Sequence, residues 1–534
     1  MLETRAITIS IEALYILYLL QKNSFEGYIV GGAVRDTLLN ALGSQTSLNA
    51  TSLTASDYDF TTNAKPEQIQ EIFPEHFYEN TFGTVGVARE HLLEQMNRVN
   101  ATTTNDTTQP ESSVINLDQA TKIHESLKKN QHDSLEKSEE DSNQSSPKDI
   151  YEITTFRSDG TYSDHRRPNE VTWGDSLKED LSRRDFTINA LAIKINQSYL
   201  NTIDFTKAPN TLDIDSDHFE VIDLHEGTTD LEAGIITTVG NPNKRFSEDA
   251  LRMLRAVRFS VQLNMQIEDA TFEAIVTNSQ LLKHISFERI RDEFLKMLQS
   301  DFPKEAIEIL DQTGLLKFIL PELIDGKGVM QGGHHTTDVW THNLDAIGSC
   351  PSKDPIVRLA TLLHDIAKPH TYKEIDGKPT FYNHEIIGSR MAKNIARRLR
   401  LSNQEIDRIF LLVRYHMFYY QPEHTDASIR RFMRKVGLEN INDILDLREA
   451  DRLGSGARKT SWRLEEMKER MISQLHQPFA ITDMAINGHD LMEQLELKPG
   501  PQLGKILNEL FEMVLENPDL NTKETLLAEA KKLL

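Results

Sequence analysis

The sequence predicts an α+β protein with a mixed sheet in its N-terminal part and helices alone beyond it, and two observations carry that reading. Short apolar or β-branched runs bounded by turn residues stand at 27–30, 57–60, 84–89 and 150–157. From Phe246 onward the signals are almost wholly helical, with Pro or Gly at the breaks. The 534 residues exceed what one compact core accommodates, so roughly three to four structural units are expected.

Taken in order, residues 7–20 read as an amphipathic helix. GYIV at 27–30 reads as a short buried strand running into Gly31 and Gly32, and residues 34–42 resume a helical pattern. DYDF at 57–60 and residues 84–89 are the next strands. IYEITTFR at 150–157 is the fourth, by its alternation and its β-branched residues. Between the last two, residues 95–149 are rich in Ser, Thr, Asn, Gln, Lys and Glu with few aromatics. Such a segment cannot bury enough apolar surface to offset its ordering entropy, so a disordered insertion at a hairpin tip is expected, with partner recruitment as its alternative use. No internal repeat is evident.

The formal net charge is -23, which looks adverse for a partner made of phosphates. Much of the excess lies in acidic runs such as 136–141, while basic pairs stand elsewhere: Arg166-Arg167, Arg183-Arg184, Arg397-Arg398 and Arg430-Arg431. A local positive track on an acidic body is the expectation, with RNA binding that weakens at high salt. No apolar stretch approaches the roughly 20 residues that span a bilayer, and no membrane association is expected. The N-terminal segment lacks a signal-peptide pattern, and the single cysteine, Cys350, excludes an intramolecular disulfide. Both fit a cytoplasmic protein.

The strongest chemical signal is the pair Asp57 and Asp59. On a strand, residues i and i+2 share a face, so both carboxylates project together. Their repulsion is relieved by a pair of Mg²⁺ ions bridged by these oxygens and a nucleoside triphosphate; alone, the motif also fits a polar strand edge. About two dozen residues upstream, VGGAVRD at 30–36 sets two glycines between a strand and a helix. Gly31 and Gly32 allow a phosphate close to the backbone, the helix start offers free N–H groups, and Arg35 adds a charge-assisted contact. Glu152, on the fourth strand, is a candidate third carboxylate, polarising an attacking hydroxyl or completing the metal shell; an exposed strand glutamate is the alternative. In LSRRDFTINALAI, at 181–193, two arginines precede what reads as an apolar helix, with Arg184 and Asp185 near its start. The planar guanidinium fork suits a triphosphate; a solvated charge pair is the alternative.

RFSEDALRMLRAVRF, at 245–259, opens the helical region. Ser247 reads as its N-cap, with Glu248 and Asp249 in the first turn. Asp249 and Arg252, at i and i+3, are neighbours on the helix surface, and Arg255 and Arg258 continue along it. A plain ion pair accounts for that spacing. So does a pair that reads a base edge: cytosine and adenine both offer an amino group beside an acceptor nitrogen, which a carboxylate and a guanidinium complement. Uracil and guanine would leave the carboxylate facing a carbonyl, and a buried unpaired group discriminates heavily.

GGAVRD, DYDF, YEITTFR, RRDFTINALA and RFSEDALRMLRAVRF, in this order, resemble class II CCA-adding tRNA nucleotidyltransferases and bacterial poly(A) polymerases. The resemblance covers roughly residues 27–298 apart from the insertion. It implies a polymerase-beta-like nucleotidyltransferase head with two Mg²⁺ on Asp57 and Asp59. It also implies nucleotide contacts from Gly32, Arg35, Arg184, Arg255 and Arg258, with Asp185 beside them, and base selection by Asp249 and Arg252. The implied reaction is attack of a tRNA 3′-hydroxyl on CTP or ATP with release of pyrophosphate. RSDGTYSDHRRP, at 157–168, is similar to the flexible loop of enzymes that add the whole CCA; poly(A) synthesis and CC-only or A-only addition are the competing specificities. The implied organisation is a head over 1–200, a base-recognition neck over 201–298, a helical body over 299–460 and a tRNA-binding tail over 461–534.

A second set of metal-binding residue types follows. HHTTDVWTHNL at 334–344 reads as a helix start, and LLHDIAKP at 362–369 sets His364 and Asp365 side by side in another helix. This pattern resembles an HD phosphohydrolase. By that resemblance His342, His364, Asp365 and Asp451 hold one metal, and His384 and His416 complete a second. Mixed histidine and carboxylate ligands suit a transition metal, and Mg²⁺ is also open. Hydrolysis of a phosphate ester at RNA ends is the implied activity, a catalytically quiet metal site the alternative. Residues 481–516 are similar to the family's tail, and the basic stretches 397–400 and 430–435 are candidate contacts to the tRNA backbone. Two rival classes remain: an HD phosphohydrolase whose head only binds nucleotide, and a non-catalytic RNA-binding protein.

Overall fold

A computed structural model describes residues 5–43, 58–79, 83–101, 150–159, 171–173, 176–332 and 337–534. Asp57, most of the polar insertion, and the part of the Gly-rich loop that includes Arg166 and Arg167 lie outside the described residues. The chain forms two compact units, Met1–Ile285 and Ser286–Leu534.

The first unit is built on a seven-stranded mixed sheet. Its strands are β2 (Gly27–Val30), β3 (Asp59–Thr62), β4 (Phe77–Glu79), β5 (Thr84–Ala88), β6 (Ile150–Thr155), β9 (Leu191–Ile195) and β11 (Phe219–Asp223), in the spatial order β11-β9-β2-β3-β6-β5-β4. Only β3 and β6 run parallel; the other neighbours are antiparallel. Off this sheet, β1 (Ile7–Ser10) pairs with β10 (Thr211–Ile214), and β7 (Arg157–Asp159) pairs with β8 (Val171–Trp173). Both β10 and β11 follow residue 200, where the sequence drew the head–neck boundary. The alternation of IYEITT is realised: Tyr151, Ile153 and Thr155 are buried while Glu152 is exposed. Phe60, Val85, Val87 and Ile193 bury the same layer, and each such side chain contributes roughly 1.5–3 kcal/mol by leaving water.

Four local expectations are corrected. Residues 7–10 form a strand, because ITIS alternates and finds an antiparallel partner in β10, with Ile7 opposite Ile214. The helix begins only at Ile11, capped by Ser10, whose hydroxyl accepts from the Ala13 N–H at 3.2 Å. It is not amphipathic: Ala13, Leu14, Ile16, Leu17 and Leu20 are all buried, as in a helix enclosed on most sides. The polar insertion does not begin at residue 95, since the helix Arg89–Ala101 runs past it; it does join an antiparallel pair, β5 and β6. The apolar run after Arg184 is not helical. A 3₁₀ turn, Thr187–Asn189, leads into β9, and an apolar strand buried on both faces shows no alternation to betray it.

Among its described residues, the second unit is helical apart from a small hairpin, Lys373–Ile375 with Lys378–Thr380, and an isolated Met330–Asp338 bridge. Its middle packs the helices Val339–Gly348, Pro355–Leu363, His384–Arg398, Asn403–Tyr415 and Ile441–Gly454 against one another. At its C-terminal end, Leu491, Leu510, Phe511, Val514 and Leu526 form a separate apolar cluster. Arg430 is a correction here. It is buried and donates to the carbonyls of Leu515 (2.9 Å) and Glu516 (3.0 Å), so it closes the end of the helix Pro501–Glu516 rather than meeting a backbone phosphate. Arg398 likewise is held by Glu322 and the Ile319 carbonyl.

Candidate active site

The head's candidates gather at the start of β3. Asp59 is the register partner of Val30 in β2 on one side and of Glu152 in β6 on the other. Partners across a ladder share a face, and Asp59 and Glu152 are both exposed where Phe60 and Ile153 are buried. Two carboxylates thus stand side by side at the end of the sheet where β2 turns into Gly31. That glycine has φ +74°, and a β-carbon there would lie 2.9 Å from Arg184 Nη1 and 3.3 Å from Asp59 Oδ2. Any other residue would be strained in backbone there and would require the Arg184 guanidinium to shift. Gly32 begins the helix Gly32–Leu42, and its β-carbon position lies 3.5 Å from Arg35 Nη2. The strand end, the glycine turn, Arg35 and Arg184 therefore lie together.

Arg184 follows the helix Leu177–Ser182 and bonds Asp180 Oδ2 at 3.4 Å. Asp180 is buried; burial pushes its carboxyl pKa up, but the charges of Arg183 and Arg184 prevail and hold it below the usual range. Asp185 faces the other way, into protein. Its Oδ2 accepts from Arg255 Nε at 2.6 Å and its Oδ1 from Asn189 Nδ2 at 3.2 Å. Burial again works upward on its pKa, but Arg255 outweighs it and holds the carboxyl down at about 2. Asp185 is an ion-pair partner of Arg255, and it is engaged by protein groups on both oxygens.

The segment expected to read the base differs in detail from its expected form. Residues 245–259 are two helices, Pro242–Glu248 and Leu251–Leu263, with Asp249 at the break. Ser247 is not an N-cap; it lies inside the first helix and donates to the Lys244 carbonyl. Asn241 takes the capping role, accepting from Lys244 N–H at 3.0 Å. Asp249 Oδ1 accepts from the Leu251 N–H at 3.0 Å and so starts the second helix. Arg252 is buried and bonds Glu248 Oε2 at 2.7 Å together with the carbonyls of Arg245 and Arg183. Glu248 is thus the partner that fixes the Arg252 fork. Arg258 donates to Gln262 Oε1 at 2.7 Å.

In the second unit, six side chains spread over more than a hundred residues of sequence meet in the interior. His342 and Asp451 lie within the helices Val339–Gly348 and Ile441–Gly454, and His384 begins the helix His384–Arg398. His364 and His416 cap the C-termini of Pro355–Leu363 and Asn403–Tyr415. The His364-Asp365 doublet is therefore at a helix end, not inside one, which frees Asp365 to turn inward. His342, His364 and Asp451 offer ligand atoms within 4.8 Å of one another, and so do Asp365, His384 and His416. Asp365 lies between the groups: Oδ2 is 3.3 Å from the Nε2 atoms of His342 and His364, while Oδ1 is 3.3 Å from His384 Nε2 and 3.7 Å from His416 Nε2.

The imidazoles are prepared to ligate. The Nδ1 atoms of His364, His384 and His416 each lie 2.7–2.8 Å from the carbonyl three residues earlier, which makes Nδ1 the protonated nitrogen and leaves Nε2 a lone pair. Among the described residues, the buried Nε2 atoms of His384 and His416 have no hydrogen-bond partner, and the Nε2 atoms of His342 and His364 approach to 3.1 Å. Burial lowers the His364 pKa, yet the Asp365 charge overrides it and, with Asp451, lifts it to about 10. For His416 burial prevails and the pKa falls. A site that draws a proton onto a buried imidazole attracts a divalent cation in competition with it. The donor set, four imidazoles and two carboxylates, fits a transition metal.

Comparison with known proteins gives the family. Residues 27–128 and 86–237 match the poly A polymerase head domain, 264–326 match the probable RNA and SrmB-binding site of polymerase A, and 385–530 match a putative tRNA nucleotidyltransferase domain 2. The CCA-adding enzyme of Ligilactobacillus salivarius is 31% identical over 526 residues, covering 98% of this chain and 96% of that one. The chain belongs to the CCA-adding enzyme family. The CCA-adding enzyme of Lactococcus lactis is 29% identical with 98% of each chain covered, and the A-adding tRNA nucleotidyltransferase of Deinococcus radiodurans is 32% identical over 63% of this chain and 75% of its own. Among solved structures, the Bacillus stearothermophilus CCA-adding enzyme in complex with CTP aligns over 98% of this chain and 96% of its own, with TM-score 0.61 and 25% identity.

The matched CCA-adding enzyme family regions bear unevenly on the candidates. The head match spans Gly32, Arg35, Asp57, Asp59, Glu152, Arg184 and Asp185, whereas Asp249, Arg252, Arg255 and Arg258 fall between matches. His342, His364, Asp365 and His384 also lie outside every match. Sequence reading missed two polar residues at these sites. Asn189, buried, bridges Arg35 and Asp185; an amide in an otherwise apolar run was its signal. Lys368 sets Nζ 2.5 Å from Asp365 Oδ2, one helical turn on from it. Among the described residues, no helix is long and apolar enough to cross a membrane.

Proposed function

We propose that this chain adds CMP, CMP and AMP to the 3′ end of tRNA, taking CTP and ATP and releasing pyrophosphate without a nucleic-acid template. The match to CCA-adding enzymes over nearly the whole length of both chains carries this reading. It favours complete CCA addition over poly(A) synthesis, since these relatives bear the CCA-adding name throughout their length. The exposed carboxylates of Asp59 and Glu152, adjacent across β3 and β6, are hard oxygen donors of the kind Mg²⁺ takes. Asp57 and Asp59 would hold two Mg²⁺ ions, whose charge, when bound, favours a nucleophilic 3′-oxygen and a departing pyrophosphate.

The chain's own residues do the rest by position and charge. The Gly31-Gly32 turn admits the triphosphate close to the backbone, and Arg35 and Arg184 bind it there. Glu152 orients the 3′-hydroxyl through its proton. The 3′-oxygen gives up its proton to solvent and bonds to the α-phosphorus as the α–β bridging bond breaks, so the displaced electrons leave with pyrophosphate. Asp249 and Arg252 read the base, Asp249 by accepting from the exocyclic amino group and Arg252 by donating to the ring nitrogen. Glu248, which already holds Arg252, keeps that fork oriented. Asp249→Ala is expected to blur selection of CTP and ATP over UTP and GTP by about 10–100-fold in relative kcat/KM, measured by single-nucleotide incorporation into trimmed tRNA. Selectivity equal to the parent's would remove Asp249 from base reading.

A second reading is favoured by the histidine cluster: a metal-dependent phosphohydrolase acting on phosphate esters at RNA ends. Six buried donors with two imidazole nitrogens lacking partners support it. The ligand groups are His342, His364 and Asp451 on one side and His384 and His416 on the other, with Asp365 shared. A bound transition metal or Mg²⁺ would supply Lewis acidity there, and Lys368 contributes a fixed positive charge beside Asp365 for a phosphate oxygen.

A further inference from the structure

The helical unit holds an open pocket that shares a wall with the histidine cluster. Tyr415, Phe418, Tyr419 and Phe432 line it, from the end of the helix Asn403–Tyr415, the loop after it and the helix Asp426–Val436. Tyr415 and Met417 face the pocket, while His416 between them is buried, with Nε2 3.7 Å from Asp365 Oδ1. Glu385, next in sequence to His384, also lines the pocket. Arg448 forms a third junction. Its guanidinium carbon lies 5.7 Å from the Phe418 ring centroid, and its Nη1 bonds Asp451 Oδ2 at 2.7 Å.

The rings are built for a flat partner. Phe418 and Phe432 are half-buried and pack together with centroids 5.0 Å apart, whereas Tyr419 is 64% exposed. Rings anchored in protein and open to water are the surfaces on which unpaired nucleobases stack. The lining also carries cations. Arg414 lies 3.6 Å from Glu385, and Arg431 bonds Glu516 at 2.7 Å and lies 3.6 Å from Glu512. Lys435 is exposed and, among the described residues, makes no ion pair. An apolar protein segment would use the rings and gain nothing from this lysine. A strand of RNA uses both, and its end carries a phosphate for the cluster beyond the shared wall.

We propose that this pocket holds the base of an unpaired terminal nucleotide of RNA, so that the ester phosphate of that nucleotide is presented to the histidine cluster. The inference rests on the reading of that cluster as a metal-dependent phosphohydrolase and adds its substrate class, single-stranded rather than paired RNA ends. A base inside a duplex is already stacked and is not free to enter. Stacking accepts any base, so the identity of the last base should matter little. In the hydrolysis, the oxygen of a water bonds to phosphorus as the ester P–O bond breaks. One proton of that water passes to the departing ribose oxygen and the other stays on the phosphate.

The test uses the full-length protein and a short single-stranded RNA ending in a 3′-phosphate, with 4-thiouridine as its last base. Irradiated without added metal or nucleoside triphosphate, this RNA should cross-link within residues 415–432, as located by mass spectrometry. Tyr419→Ala should cut that yield at least about fivefold. In hydrolysis with Mn²⁺, the parent's KM should be about tenfold lower for RNA with a terminal base than for RNA with an abasic terminal nucleotide, and Tyr419→Ala should bring the two values together with kcat changed less than about threefold. Tyr419 is exposed, so the variant's melting temperature should match the parent's. Cross-links confined to residues 1–285, or equal KM values for the two RNAs in the parent, overturn the proposal and leave the pocket to a protein segment. Failure of the phosphohydrolase reading is separable: cross-links within 415–432 that Tyr419→Ala removes, with neither RNA hydrolysed, support the pocket and remove the chemistry.

Discussion

Asp59→Ala is expected to reduce nucleotide addition by more than about 10³-fold while the protein remains folded. Asp59 begins β3, its side chain is exposed, and its register neighbours are Val30 and Glu152. Little packing is lost when it is shortened, and surface changes of this kind usually stay within about 0.5 kcal/mol. The chemical loss is of another order: with one of the paired carboxylates gone, the cation charge that favours attack and departure has no second anchor at the strand end. Asp57→Ala should behave alike. Glu152→Ala should lose less, since it acts on the hydroxyl rather than on the triphosphate. Primer extension on trimmed tRNA, paired with a thermal melt, separates the outcomes. Addition within tenfold of the parent's by a folded Asp59→Ala protein would remove this residue from the mechanism.

His364→Ala should abolish metal-dependent hydrolysis of RNA-end phosphate esters, by more than about 100-fold, and spare CCA addition. His364 is fully buried among His342, Asp365 and Asp451, with Nδ1 on the Thr361 carbonyl and Nε2 directed at the other donors. Alanine deletes a ligand from one group and leaves the other group, His384 and His416 with Asp365, intact. Metal content measured by mass spectrometry on protein purified without chelator should accordingly fall, not vanish. The residues proposed for nucleotide addition belong to the other compact unit, so primer extension should be unchanged, while a thermal melt reports whether the variant is folded. Hydrolysis that survives in metal-stripped His364→Ala would defeat the assignment.

The head was legible wherever a local rule decided the structure. GYIV followed by two glycines and a helix is settled by turn chemistry, and IYEITTFR by its period of two. Glu152 was reachable for the same reason: its face was fixed by alternation, although its place beside Asp59 depends on a parallel pairing across the whole insertion. The segment after Arg184 was misread because a strand buried on both faces has no polar beat. Ile7–Ser10 was misread because its partner, Thr211–Ile214, lies about two hundred residues downstream. Spacing also hid the break at Asp249: residues 245–259 carry a continuous helical pattern, and only the Asp249 side chain on the Leu251 N–H reveals two helices. The histidine cluster was nameable by residue type, but the sharing of Asp365 between its two groups is tertiary information. Arg430 shows the opposite failure, a basic residue read as a candidate tRNA contact that instead satisfies the carbonyls of Leu515 and Glu516.

The most direct measurement is extension of a tRNA transcript ending at the base before CCA, with magnesium and each combination of nucleotides, resolved to single-nucleotide steps. The account predicts two additions with CTP alone, three with CTP and ATP together, and no further growth. Long adenylate tails with ATP alone, or a transcript that is never lengthened, would contradict it.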